Sequence, residues 1–281
     1  MSRHQMAYRT VNGLRMHYLL EGMGPPVVLL HGLGSRGEDW ALQVPVLVEA
    51  GHAVLAPDLR GHGRTDKPPG PYTIRQMADD LDGLMGALGI ERSVVVGLSL
   101  GGLVAQALAV GHPTRVRALV LVNTFARLRP QGRWGWAHLL RRGWLLVAGG
   151  MRRQAEAVAR ELFPRLEQEA MRRVAAERLA GNDPAAYQAT VWAVLRFDGR
   201  RDLGRIRVPT LVVAGAEDTT VSMEAKRELA VRIPNARLEV VPDSGHATPL
   251  DQPEVFNRLL LEFLRRQEGG GGWGVGGGVT R

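Results

Sequence analysis

Short apolar runs return along the chain, and stretches with helical spacing fill the gaps between them. Pro26–Leu30 (PVVLL), 53–56 (AVLA), 94–96 (VVV), 118–122 (ALVLV) and 210–214 (TLVVA) are continuous in apolar or β-branched residues. Strands covered on both faces of a parallel sheet read this way, whereas half-exposed strands alternate. Residues 237–241 close the series. The intervening pattern predicts helices over 40–50, 73–88, 103–110, 223–232 and 252–266, with Gly51 and Gly89 as stops and Thr73 as an N-cap. Near the start, 8–11 and 14–20 flank Asn12-Gly13, the strongest short signal for an antiparallel hairpin. The expected class is therefore α/β, a mostly parallel, doubly wound sheet of eight strands.

The rhythm stops at Phe125 and resumes at Pro209. The residues between are helix-like and lack a strand pattern, with a break at Asn182-Asp183-Pro184. The predicted organisation is a core of residues 1–124 and 206–267, an inserted helical cap over 125–205, and a glycine-rich flexible tail over 268–281. Within the insertion, 134–147 is apolar on one side, which suits either a lid over an acyl pocket or an ordinary packed helix. Phe163, Leu166, Val174, Tyr187, Trp192 and Leu195 have the same two readings, lining a pocket or holding the helices together.

Composition narrows the function classes. The 281 residues contain no cysteine, so thiolate chemistry, disulfides and cysteine-ligated metals are excluded, and no metal-ligand spacing is present. The net charge of +8 raises the question of nucleic acid or anionic membranes. Its distribution answers against both: residues 125–207 hold 17 Arg against 8 acidic side chains, while the remainder carries 19 basic and 20 acidic ones. Basic residues are 34 Arg and only 2 Lys, a bias better explained by genome composition or growth temperature than by a ligand. The opening residues lack the apolar run of a secretory signal, and no stretch reaches the ~18 apolar residues of a membrane span. A soluble cytoplasmic protein is expected, a monomer or homodimer without nucleic-acid or stable membrane partners.

In an open parallel sheet, ligands bind beyond the carboxyl ends of the strands. Ser99 stands there, in Gly97-Leu98-Ser99-Leu100-Gly101, between the 94–96 strand and a helix. This is the G-x-S-x-G turn in its strand–turn–helix setting, which lifts a hydroxyl off the sheet and aims the Leu100 N–H at the same volume. Asp218 follows the 210–214 strand and His246 follows the 237–241 strand. With His31-Gly32-Leu33-Gly34, Asp58-Leu59-Arg60-Gly61-His62-Gly63, Gly215-Ala216-Glu217-Asp218 and Gly245-His246, the chain from Tyr8 to about Arg266 resembles the α/β-hydrolase superfamily.

The resemblance implies Ser99 as nucleophile, His246 as general base and acid, and Asp218 as the group that fixes the imidazole. It makes the Leu33 and Leu100 N–H groups the oxyanion hole. It also makes His31 and His62 scaffold, His31 supporting the turn that presents the Leu33 N–H. Glu217 is expected to point away from the histidine, Asp243 lies too close along the chain to orient it, and Asn123-Thr124 offers no carboxylate. Serine rather than aspartate after Leu98 argues against haloalkane dehalogenase and epoxide hydrolase chemistry, and His-Gly-Leu-Gly departs from the His-Gly-Gly-Gly of hormone-sensitive-lipase-like esterases. The expected activity is a cofactor-free carboxylesterase for small or medium acyl esters. Lactonase, carbon–carbon bond hydrolase and perhydrolase are alternatives, the carbon–carbon hydrolase disfavoured because Leu98 stands where such enzymes have asparagine. A ligand-binding protein that lost turnover is the non-enzyme alternative.

Overall fold

The computed structural model describes residues 5–128 and 150–268. The apolar stretch 134–147 and the glycine-rich segment 269–281 lie outside the described residues. The strands are β1 (Gln5–Val11), β2 (Leu14–Glu21), β3 (Pro26–Leu30), β4 (Ala53–Pro57), β5 (Ser93–Leu98), β6 (Val116–Val122), β7 (Thr210–Gly215) and β8 (Ala236–Val241). They form one eight-stranded sheet in the order β1-β2-β4-β3-β5-β6-β7-β8. Only β2 runs against the others, pairing antiparallel with β1 and β4. The β1–β2 turn has Asn12 at φ 50° and Gly13 at φ 72°, the two positive values that a two-residue hairpin turn needs.

The continuous apolar runs are explained by burial on both faces. Val28 and Leu30 of β3, Val95 of β5 and Leu119 and Leu121 of β6 join one core; Val27, Leu29, Val94, Val96, Ala118 and Val120 join the other. Helices α2 (Ile74–Ala87) and α3 (Leu100–Gly111) cover the first face. Helices α1 (Val44–Glu49) and α9 (Pro253–Glu268) cover the second, with Phe256 and Phe263 fully buried. Complete burial of one such side chain contributes ~1.5–3 kcal/mol, so the central strands anchor the sheet.

The structure differs from the sequence expectation in two places, both at proline. The stretch 40–50 splits into a 3-10 turn, Gly37–Trp40, and α1, whose second residue is Pro45. The helix expected over 252–266 is α9, and an additional short turn, α8 (Thr248–Asp251), precedes it, with Pro249 and Pro253 in the first turn of each. Proline lacks an N–H and fits only the first turn of a helix, so each one restarts the chain there.

Between β6 and β7 the described residues form α4 (Gly150–Leu162), α5 (Glu169–Ala180) and α6 (Pro184–Arg196). Asp183 caps α6 by accepting from the Ala186 N–H at 2.8 Å, which is the break read at Asn182-Asp183-Pro184. The two ends of the segment meet: Arg127 bridges Asp198, and the Gly199 N–H donates to the Ala126 carbonyl at 2.9 Å. Met151, Ala155, Val158, Leu179 and Tyr187 make a small core of their own, against which Leu33 packs. Phe163 and Tyr187 are buried, but Leu166, Val174 and Trp192 are 88%, 54% and 50% exposed and so do not hold these helices together. Several of the arginines here are answered locally: Arg178 meets Glu38 and Asp39, Arg200 meets Asp198, and Arg205 meets Asp202. Among the described residues, no helix is long and apolar enough to cross a membrane.

Candidate active site

Ser99 sits between the end of β5 and the start of α3 with φ 52° and ψ −111°. A non-glycine residue there is strained, at a cost of order 1–3 kcal/mol that the surrounding structure must hold. The surroundings do so. The Ser99 N–H donates to the Val122 carbonyl at 2.9 Å, and Thr124 Oγ1 donates to the Ser99 carbonyl at 2.7 Å. The flanking glycines are required by contact: a methyl on Gly97 would strike the backbone of Gly101, and one on Gly101 would strike the Leu30 carbonyl. The loop after β3 reaches the same place, since a side-chain carbon on Gly32 would stand 3.8 Å from Ser99 Cβ. No acceptor among the described residues takes the N–H of Leu33 or of Leu100.

Asp218 and His246 are brought together at the ends of β7 and β8. His246 Nδ1 lies 3.1 and 3.0 Å from the two Asp218 oxygens, so the ring donates from Nδ1 and leaves Nε2 as the basic atom. The Thr220 and Val221 N–H groups also donate to Asp218 Oδ1, at 2.8 and 3.1 Å. A lysine completes the set: Lys226 Nζ, from α7 (Met223–Arg232), is 2.8 Å from Asp218 Oδ2, and both side chains are buried. Burial pushes the Asp218 carboxyl up, but the charges and hydrogen bonds of His246 and Lys226 outweigh it and bring it down to about 2. Ser99 and His246 do not hydrogen-bond each other in this structure.

What holds the two loops beside Ser99 is Asn123. It follows β6, the strand between β5 and β7, with φ 43° and no exposure. Its Oδ1 accepts from the Gly215 N–H at 2.8 Å; its Nδ2 donates to the Gly245 and His246 carbonyls and Thr248 Oγ1 at 3.1, 2.8 and 2.8 Å. One side chain thus joins the turn that carries Asp218 to the loop that carries His246.

The rival residues are occupied elsewhere. Glu217 binds Arg165 at 2.6 Å and faces solvent. His31 donates from Nδ1 to the Gly32 carbonyl at 2.8 Å and accepts the Leu59 N–H on Nε2 at 3.0 Å, so it is a neutral clamp between the loops after β3 and β4. His62 donates from Nδ1 to the Arg60 carbonyl at 3.0 Å, and its ring lies 5.1 Å from that of His31, tilted by 56°. Burial, then the neighbouring His31, holds His62 down at about 3, far below its ordinary 6.5. The unfolded chain takes up a proton that folded His62 refuses, so stability falls as pH drops from 6.5 toward about 3. His62→Asn keeps an amide donor and removes the titrating ring. Thermal melts between about pH 7 and about pH 4 should show a smaller loss of Tm for the variant, and equal losses would clear His62 of this role.

Two residues of the site carry no signal along the chain. Asn123 reads in sequence only as the absence of a carboxylate. Lys226 belongs to no motif, and its one mark is being one of 2 lysines in the chain.

Comparison with known proteins agrees with the fold. The chain belongs to the α/β-hydrolase fold family, whose model matches residues 25–253. A relative from Caulobacter sp. (strain K31) bearing the name "Putative carbamate hydrolase RutD" is 37% identical over 252 residues, covering 85% of this chain and 90% of that one. The solved enol-lactonase of Burkholderia xenovorans LB400 superposes with a TM-score of 0.85 at 33% identity, over 92% of this chain and all of that one. A thermophilic esterase from Thermogutta terrifontis gives a TM-score of 0.81 at 29% identity, over 94% and 99% of the two chains. The protein is therefore a hydrolase with lactonase-like and esterase-like relatives.

Proposed function

We propose that the protein cleaves carboxylic esters of small or medium acyl chain through an acyl-serine intermediate. The observation that carries this reading is the buried Asp218–His246 pair, 3.0 Å apart, on the same sheet edge as the strained Ser99 turn. Ser99 Oγ attacks the ester carbonyl while His246 Nε2 takes its proton. Asp218 holds the Nδ1–H and stabilises the imidazolium that forms. The Leu33 and Leu100 N–H groups, without acceptors among the described residues, bind the oxyanion. His246 returns the proton to the departing alkoxide, the C–O bond breaks, and water repeats the cycle on the acyl-enzyme. The Ser99–His246 hydrogen bond closes when substrate arrives, as such bonds commonly tighten in the complex. The helices α4, α5 and α6 act as a cap, with Leu179 and Tyr187 packed against Gly34 of the oxyanion loop.

Lactone hydrolysis is the second reading, favoured by the full-length likeness to an enol-lactonase. It uses the same steps, except that the leaving alcohol stays tethered to the acyl group. A carbamate, suggested by the name of the Caulobacter relative, is a poorer electrophile because its nitrogen donates into the carbonyl.

The test is one panel: p-nitrophenyl esters from acetate to palmitate, γ-lactones, an acyl-homoserine lactone and a p-nitrophenyl carbamate, with Ser99→Ala as blank. Highest kcat/KM on short or medium esters supports the esterase. A preference of about a hundredfold for lactones or the carbamate replaces it with that activity. Turnover that survives in the blank rules out the acyl-serine route.

A further inference from the structure

We infer that Lys226 is a positioning residue that sets the pH range of the site: its ammonium stands as a cation behind Asp218, the carboxylate that faces His246, and extends activation of Ser99 into more acidic solution. This rests on the reading of Ser99 and His246 as nucleophile and base. Three observations converge on it. Lys226 Nζ is 2.8 Å from Asp218 Oδ2, the oxygen that also lies 3.0 Å from His246 Nδ1, so cation, carboxylate and imidazole form one buried row. The ammonium also donates to the Gly215 carbonyl at 3.3 Å, at the start of the turn that carries Asp218. And in a chain with 34 Arg and 2 Lys, one of the two lysines occupies this fully buried position behind Asp218.

The electrostatics follow from the row. Without Lys226, the Asp218 carboxylate would keep the Thr220 and Val221 N–H donors but face His246 with no balancing cation behind it, and would favour the imidazolium. With Lys226, protonating His246 adds a charge to a pair already neutral, and the proton binds less readily. The base remains available at lower pH, and the imidazolium formed during turnover is stabilised less. Burial pulls the Lys226 ammonium below its ordinary range and Asp218 opposes this, so the two groups depend on each other for their charge.

Other charges around the row do not substitute for Lys226. Glu217 is turned to Arg165, and Asp251 is engaged by the Gly245 N–H and Ser244 Oγ at 2.7 and 2.9 Å. Asp243 stands three residues before His246, and Arg165 acts on Asp243 and Asp251 rather than on Asp218. On α7 itself, Glu228 is bonded to Arg232 at 2.8 Å, and Glu224 has contacts of its own. His246 and Lys226 are the charges that act on Asp218, and Asp218 is the charge that acts on Lys226.

The experiment is the rate of Ser99 labelling by a fluorophosphonate as a function of pH, for the native protein and Lys226→Met, Lys226→Gln and Lys226→Arg. The probe reports activation of Ser99 whatever the natural substrate is. The acidic limb of the profile should move up by ~1 pH unit in the methionine variant. The glutamine variant, which keeps a hydrogen-bonding side chain and guards against misfolding in the first, should move in the same direction. The arginine variant, which keeps the charge, should hold the native limb even if it labels more slowly. A limb that stays put in the methionine and glutamine variants, with rates lowered evenly at every pH, would mean a structural role only and overturn the inference. A limb that moves as far in the arginine variant would deny that charge is the cause. A native protein that is not labelled, or is labelled equally as Ser99→Ala, would overturn the reading of Ser99 and this inference with it.

Discussion

Alanine in place of Ser99 is expected to lower kcat/KM on the best substrate by on the order of 10⁴- to 10⁶-fold. The hydroxyl is all that is removed. The turn that presents it is held from both sides, by the Ser99 N–H on the Val122 carbonyl and by Thr124 Oγ1 on the Ser99 carbonyl, at 2.9 and 2.7 Å. The loss should therefore come without a loss of Tm. His246→Ala should cost a similar factor, and the double variant little more than either alone, because nucleophile and base act as one unit. Asp218→Asn should cost about 10⁴-fold, since an amide facing Nδ1 no longer fixes the tautomer that leaves Nε2 basic. Glu217→Gln is the control: its carboxylate is spent on Arg165 at 2.6 Å, and near-native turnover is expected. Steady-state kinetics on these variants decide this. Additive losses for Ser99 and His246, or equal losses for Glu217 and Asp218, would contradict the proposed division of roles.

The parts of the site that are legible in the sequence share a physical origin. Residues 94–102 declare themselves because a strained turn tolerates so few side chains: Gly97 and Gly101 have backbone where a Cβ would go. Strand β3 declares itself because two helical layers leave no polar position free in Val27–Leu30. Asp218 and His246 are legible because a parallel sheet delivers the ends of β7 and β8 to one edge, and they meet there at 3.0 Å. What the sequence hides is the contact made through space by an unremarkable residue. Lys226 lies within a helix whose sequence, MEAKRELAVR, has ordinary surface spacing, yet its side chain runs inward to Asp218. Periodicity reports which face of a helix is apolar and does not report that a long side chain on that face carries a charge to the site. Leu166 and Trp192 mislead in the opposite direction, apolar in sequence and exposed in the fold, whereas Val174 lines a cavity beside Gly34.

Asn123→Ala is expected to lower stability by ~2–4 kcal/mol and kcat by about 10- to 100-fold, with a smaller change in KM. The size of the first effect follows from what the side chain satisfies. It accepts the Gly215 N–H at 2.8 Å and donates to the Gly245 and His246 carbonyls at 3.1 and 2.8 Å, all within the protein. Truncation strands the Gly215 N–H and the His246 carbonyl in a buried site, while the Gly245 carbonyl keeps Thr248 Oγ1 and Ser244 Oγ as donors, and it places alanine at φ 43°, where asparagine is the better tolerated residue. The second effect follows from geometry. Gly215 begins the turn to Asp218, and the His246 carbonyl belongs to the general base itself, so the two loops lose their common clamp beside Ser99. Small displacements there weaken catalysis far more than they weaken binding. Asn123→Asp separates the amide's two jobs. It retains an acceptor for Gly215 but turns a second oxygen, carrying charge, toward the Gly245 and His246 carbonyls. It should be less stable than the alanine variant even though it is nearly isosteric. Chemical denaturation of the three proteins gives the order, and an aspartate variant as stable as the native protein would mean that Asn123 does not donate to the histidine loop.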